Sequence, residues 1–187
     1  MNSRKLEFFI FTFLLYTIFN MNKQKTKLIL ISGFVGAGKT TLAKKLEKQY
    51  QAIRFSTDDW MIELFGFDGD FGEEYRNKKR IVKEFIWGIA KQVLESGVNV
   101  VLDFGFWSWK ERTLFRKRAG QIGVEFELYF IDVPLDQLRK QIKIRNKKLP
   151  KGTFHITEKW FDSWIPRFEP PSEKEKPIVL RRNLNNL

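Results

Sequence analysis

The stretch "KLILISGFVGAGKTT", Lys27 to Thr41, decides the fold. Lys27 to Ser32 is an Ile/Leu-rich run, suited to a strand buried on both faces in a parallel sheet. Gly33, four residues, Gly38, Lys39 and Thr40 follow, which is the phosphate-loop pattern G-x-x-x-x-G-K-[ST]. "TLAKKLEKQY" then carries leucines at helical spacing, Leu42 and Leu46. Strand, glycine loop and helix therefore come in the order the motif requires.

Each residue type in the loop has a physical role. Gly33, Gly36 and Gly38 allow backbone angles and close approach that a Cβ blocks. Successive N–H groups, including those of Ala37 and Thr41, can then point at phosphate oxygens from a helix N-terminus. Lys39 brings a charge to the β- and γ-phosphates, and the Thr40 hydroxyl is a Mg²⁺ ligand. The motif predicts an ATP or GTP site.

Outward from the loop, strands and helices alternate, which predicts a parallel α/β sheet with crossover helices. Gln51 to Ser56 reads as a short second strand, and "DDWMIELFG" as a helix stopped by Gly66. Glu73 to Gly97 reads as a long amphipathic helix with its apolar face at Ile81, Phe85, Ile89 and Val93. "VNVVLDFGF" reads as a strand, "SWKERTLFRKRAGQIG" as a helix and "VEFELYFIDV" as a strand. "PLDQLRKQIKIRN" and "TEKWFDSWIPRF" read as helices, the second limited by Pro166, and "KPIVL" as a last strand.

Composition narrows the chemistry. The 187 residues suit one domain with a real core, and 43% hydrophobic with 30% charged reads as folded. With no cysteine and a single histidine, His155, thiolate and His-based metal sites are excluded. The formal charge is +12, from 34 basic and 22 acidic residues, and favours anionic partners such as nucleotides or nucleic acid. The apolar run Phe8 to Phe19 is shorter than the ~20 residues a membrane span needs. Residues 1–20 are therefore read as a hydrophobic leader or a mis-assigned start, with Met21 opening a single domain at 21–187. No stable membrane span and a cytoplasmic location are expected.

Three further features bear on a site. Asp103 ends the apolar third strand, where an acid sits behind the metal of phosphate-loop proteins and orients its water ligands. Of the aromatics around Gly105, Phe106 and Trp107 are candidates for a substrate pocket. The segment "LRKQIKIRNKKLPKGTF" offers Arg139 and Arg145 as planar phosphate forks on a mobile lid. Pro150 and Gly152 would let that lid turn, and Lys147, Lys148 and Lys151 read as a solvated face. Arg112, Arg116 and Arg118 are weaker candidates for phosphate contact.

"GFVGAGKTTLAKKL", "STDDWMIELFG", "VVLDFGFWSWKERTLFRKRA", "YFIDVPLDQLRKQIKIRN" and "PKGTFHIT" together resemble the small predicted ATP-binding kinases of the P-loop class. These are similar to chloramphenicol phosphotransferase, zeta toxins and polynucleotide 5′-kinase domains. The resemblance covers Leu28 to Glu173. It implies a P-loop NTPase fold with a five-stranded parallel sheet, order 2-3-1-4-5, and a small lid. It maps a general base for the acceptor hydroxyl onto Asp58, and "IRN" supports Arg145. Met61 stands where relatives often carry an arginine for an acceptor phosphate, which points to a neutral acceptor. Asp58 has a second reading as a plain helix N-cap, and Asp59 is explained by its place in a first turn.

The expectation is an ATP- and Mg²⁺-dependent phosphotransferase acting on a hydroxyl of an unidentified small molecule. Lys39, Asp58 and Arg145 are its catalytic residues, and Thr40 with Asp103 its metal residues. The alternatives are a nucleic-acid 5′-hydroxyl kinase, or a nucleotide-binding regulatory or toxin-like protein with little turnover.

Overall fold

The computed structural model of the chain describes residues 25–66, 70–148, 150 and 153–181. The hydrophobic leader and the turn at Lys151 and Gly152 lie outside them. Among the described residues, no helix is long and apolar enough to cross a membrane.

Five parallel strands form one sheet in the order β2-β3-β1-β4-β5. They are β1 (Lys27–Gly33), β2 (Ile53–Ser56), β3 (Val100–Gly105), β4 (Glu125–Asp132) and β5 (Ile178–Arg181). The helices are α1 (Lys39–Gln49), α2 (Thr57–Phe65), α3 (Glu73–Glu95), α4 (Trp109–Gln121), α5 (Leu135–Lys148) and α6 (Glu158–Trp164). Strand β1 is central: Leu28 lies opposite Val100 of β3 and Phe126 of β4.

The unbroken apolar run of β1 follows from its burial on both faces. Ile29 and Ile31 enter a core with Leu42 and Leu46 of α1, Leu138 and Ile142 of α5, and Phe161 and Trp164 of α6. Leu28 and Leu30 point the other way, into a core with Ile86 and Leu94 of α3 and Phe115 of α4. The period of two along the strand thus splits one run between two layers.

Helix α3 corrects the sequence reading by one residue. Its fully buried stripe is Val82, Ile86, Ala90 and Leu94; of the expected face, Ile89 and Val93 pack partly buried against the same core, whereas Ile81 and Phe85 are 61% and 62% exposed. Apolar doublets occur at 81–82, 85–86, 89–90 and 93–94, so the sequence offers two adjacent stripes about 100° apart. The second stripe faces the sheet because Ala90 lets the helix come close to it. Met61 of α2 is 1% exposed and belongs to this same core.

The carboxyl ends of β1 and β3 are irregular where the chain turns toward its cleft. Between Leu102 and Gly105, β3 carries one residue more than its partner β1. Such bulges re-aim side chains, and Asp103 lies within this one. Gly105 has φ 87°, and a Cβ there would meet Trp107 Nε1 at 3.2 Å. Phe106 follows at φ 43°, unusual for a bulky residue. Its carbonyl accepts hydrogen bonds from Ser32 Oγ (3.0 Å) and Arg112 Nη1 (3.1 Å), which hold the turn.

Candidate active site

Lys39, Thr40, Asp58, Asp103 and Arg145 line one cleft of about 990 Å³ at the carboxyl ends of the strands, together with Gly36, Gly38 and Thr41. That is where open α/β sheets bind ligands. Gly36 has φ 85°, a conformation that favours glycine, and a Cβ would press on Ile142 Cδ1 at 3.1 Å. Gly33 and Ala37 lie beneath the loop instead: Gly33 abuts the Ile131 carbonyl, and Ala37 is buried.

The start of α1 is built to be completed by an anion. Its N-cap, Gly38, has no side chain, so no side-chain hydrogen bond caps the first-turn amides. Lys39 Nζ folds back and donates to the Phe34 carbonyl at 2.9 Å. Burial pulls the Lys39 ammonium down to about 8, against the carboxylates of Asp103 and Asp58.

The aspartate doublet is divided between two partners. The α2 N-cap is Ser56, whose Oγ accepts from Asp59 N–H at 3.2 Å. This excludes the N-cap reading of Asp58, which sits within the first turn. Asp59 pairs with Arg54 at 2.9 Å, and Asp58 pairs with Lys79 of α3 at 2.7 Å. Enclosure in the cleft pushes the Asp58 carboxyl up, but Lys79 more than reverses this and holds it below the usual carboxylate range, aided by Lys39 and Lys83.

Asp103 is 6% exposed, and burial pushes its carboxyl up against the Thr40 hydroxyl, which donates to it, and the charge of Lys39. Its Oδ2 is buried without a hydrogen-bond partner, 3.7 Å from Arg54 Nη1. Among the described residues there is no cluster of three or more carboxylate or histidine groups. One carboxylate beside one hydroxyl fits Mg²⁺, which is held by few protein ligands, water and substrate phosphates.

The two candidate arginines separate. Arg145 lines the cleft, donates from Nη2 to the Phe154 carbonyl at 3.1 Å, and keeps its Nε buried without a partner. Arg139 does not line the cleft: it pairs with Asp162 and lies over the Phe161 ring, 4.6 Å from its centroid. Helix α5 rotates by about 100° per residue, so positions 139 and 145, six apart, face different ways. Arg112, Arg116 and Arg118 are structural too. Arg112 is 2% exposed and grips both oxygens of Glu175; Arg116 donates to the Glu175 carbonyl, and Arg118 pairs with Glu84.

Of the pocket aromatics, Trp107 lines the cleft, stacked on Phe34 of the loop at 5.3 Å and 25°. Phe106 is fully buried against Phe104 and Phe115. Sequence reasoning missed Tyr75, Lys79 and Lys83 of α3, Glu111 of α4, and Trp164 of α6, all in the cleft lining. The spacing of Lys79 and Lys83, one helical turn apart, is the sole local trace of them.

Comparison with known proteins agrees with this architecture. Over 164 residues the chain is 25% identical to an adenylyl-sulfate kinase of Clostridium acetobutylicum, covering 85% of this chain and 76% of the relative. It is 28% identical over 123 residues to a shikimate kinase of Caldicellulosiruptor bescii, covering 63% of this chain and 64%, under two thirds, of that relative. The fold superposes on a crystal structure of a putative kinase from Chloroflexus aurantiacus with a TM-score of 0.67, at 17% identity and 85% coverage of each chain. A family model described as an AAA domain matches residues 28–171, from the first strand past the last helix of the cleft. The phosphate loop, the 2-3-1-4-5 sheet and that match together show that the chain belongs to this AAA-domain family of P-loop proteins.

Proposed function

We propose that the protein is an ATP- and Mg²⁺-dependent phosphotransferase whose acceptor is a hydroxyl group of a small molecule. One observation carries this reading: Lys39, Asp58, Asp103 and Arg145, from four separate elements, face one cleft beside an uncapped helix N-terminus. Kinase relatives support it at the level of reaction class.

In this reading the α1 amides and Lys39 hold the β- and γ-phosphates, with Lys39 leaving the Phe34 carbonyl for them. Thr40 and Asp103 would hold Mg²⁺, and the ion when bound would offset charge on the phosphates. Arg145 faces the same oxygens, and its guanidinium stabilises charge that spreads there. Asp58 accepts the acceptor's hydrogen bond and collects its proton late, because attack on a loose phosphoryl needs little prior deprotonation. A carboxylate kept ionised by Lys79 suits that role, since it orients a hydroxyl at any pH near neutrality.

The test is transfer of the γ-phosphoryl of ATP to a library of alcohols, read by mass gain, with and without Mg²⁺. ATP consumption that no acceptor raises would instead favour a regulatory nucleotide-binding protein. The charge of +12 is what favours a nucleic-acid 5′-hydroxyl as acceptor. Oligonucleotide binding with a steep salt slope would support that rival.

A further inference from the structure

The acceptor side of the cleft restricts what can be phosphorylated. Resting on the phosphotransferase reading above, we infer that the acceptor is an uncharged alcohol with a ring-shaped body, stacked on an aromatic wall beside Asp58.

The wall is continuous. Trp107 meets Trp164 at 5.8 Å, Trp164 meets Phe71 at 4.9 Å, and Phe71 meets Tyr75 at 5.1 Å. All four line the cleft, and Trp107 and Tyr75 are the two left partly exposed. The wall ends next to the base: Lys79 Nζ lies 5.7 Å from the Tyr75 ring and 2.7 Å from Asp58 Oδ1. A hydroxyl placed on Asp58 therefore brings the rest of its molecule against the exposed parts of Tyr75 and Trp107. Flat bodies bury apolar surface there and gain stacking geometry.

The charges on this side are already matched. Two lysines of α3 reach the chamber, and each has its own carboxylate: Lys79 with Asp58, and Lys83 with Glu111. The second pair is about four-fifths buried. An anionic acceptor that drew Lys83 off its partner would leave the largely buried Glu111 carboxylate uncompensated, a costly change. It would also sit beside two carboxylates of its own sign. Arg76, Lys140 and Arg167 also line the cleft but are solvent-exposed, where ion pairing contributes little. The neutral character inferred from Met61 has a different physical basis here, because that side chain lies in the core and never meets the cleft.

The experiment uses matched pairs of acceptors that differ by one charge, a CH2OH replaced by a carboxylate: 1,4-benzenedimethanol against 4-(hydroxymethyl)benzoate, glucose against glucuronate, and glycerol against glycerate. Phosphoryl transfer from ATP and, separately, tryptophan fluorescence in a non-hydrolysable ATP analogue are measured for each. The expected result is preference for the uncharged ring member of a pair. Trp107→Leu should weaken its binding by about tenfold, the size of one stacking contact. Glu111→Gln frees Lys83 and should shift preference toward the charged members by about tenfold. The aryl and sugar arms tell which ring is taken. Preference for any charged member, or for glycerol over both rings, overturns the acceptor class and leaves the kinase reading standing. Binding of the uncharged ring alcohols without transfer overturns the kinase reading and leaves the chamber assignment standing. Neither binding nor transfer overturns both.

Discussion

In the proposed reading, the donor side of the cleft centres on one short run of chain, residues 36–41, joined by Asp103 and Arg145, whereas the acceptor side takes side chains from α2, α3, α4, α6 and the turn after β3. The donor side works chiefly through backbone amides, so its main requirements are glycines and a helix start. The acceptor side works through ion pairs and rings that meet only in three dimensions. Lys79 is 21 residues from Asp58, and Lys83 is 28 from Glu111. A backbone site is written in contiguous sequence; a side-chain site is written in the packing of helices.

Substitutions can set the two sides against each other. Asp58→Asn should have the largest effect, a fall in transfer of ~10²–10⁴-fold with nucleotide binding kept. Near-normal turnover in a steady-state assay would sink the base assignment. Lys39→Met should cost about 10²–10³-fold, as expected for one phosphate-facing donor, and should also weaken nucleotide binding. The wild-type protein has a pH signature for this residue. The Lys39 ammonium, pulled down to about 8 by burial, loses its charge as pH rises past that value. ATP affinity should therefore decline above pH about 8, and ATP binding should take up a proton there. Calorimetry in buffers of differing ionisation heat would detect the uptake, and its absence would break the assignment.

Lys79→Met should act chiefly through Asp58, its ion-pair partner. Lys79 holds that carboxyl down against the upward push of enclosure, so its removal raises the carboxyl's pKa. The acid limb of the rate profile should move to higher pH, with lost activity recovered on raising pH and restored by Lys79→Arg. An unmoved limb would reduce Lys79 to a structural tie. The smallest effect belongs to the outer face of α3. Phe85→Ala, at a 62% exposed position, should change stability by less than about 0.5 kcal/mol. Its neighbour Ile86→Ala should cost about 2–5 kcal/mol. Equal melting shifts for the two would restore the stripe read from sequence.

What the sequence made legible follows the same division. The phosphate loop, the alternation of strands and helices, and Asp103 at a strand end are local patterns, and each stands where it was expected. The face of α3 was not legible because apolar doublets populate two neighbouring stripes. Arg139 and Arg145 looked equivalent as arginines, yet the turn of α5 sends one toward Asp162 and the other to the cleft. The arginines of α4 read as possible phosphate ligands; their carboxylate and carbonyl partners lie on distant segments that no local window contains. The aspartate doublet was half legible. Its first-turn place was clear, whereas its division between Arg54 and Lys79 depends on where β2 and α3 meet.

The grip of Arg112 on Glu175 spans 63 residues and gives the molecule an order of assembly. Arg112 also holds the left-handed Phe106 turn that delivers Trp107 to the cleft, and it donates to the Glu169 carbonyl at 2.8 Å. That guanidinium is fully compensated only after α4, β4, α5 and α6 have brought residues 169–175 alongside. The phosphate loop depends on distant segments too, since β1 pairs with β3 and β4, Gly36 lies against Ile142 of α5, and Phe34 packs on Phe161 of α6. Both sides of the cleft are thus complete only after these later segments have packed. A growing chain would therefore finish its cleft late, when residues 169–175 arrive to close around Arg112.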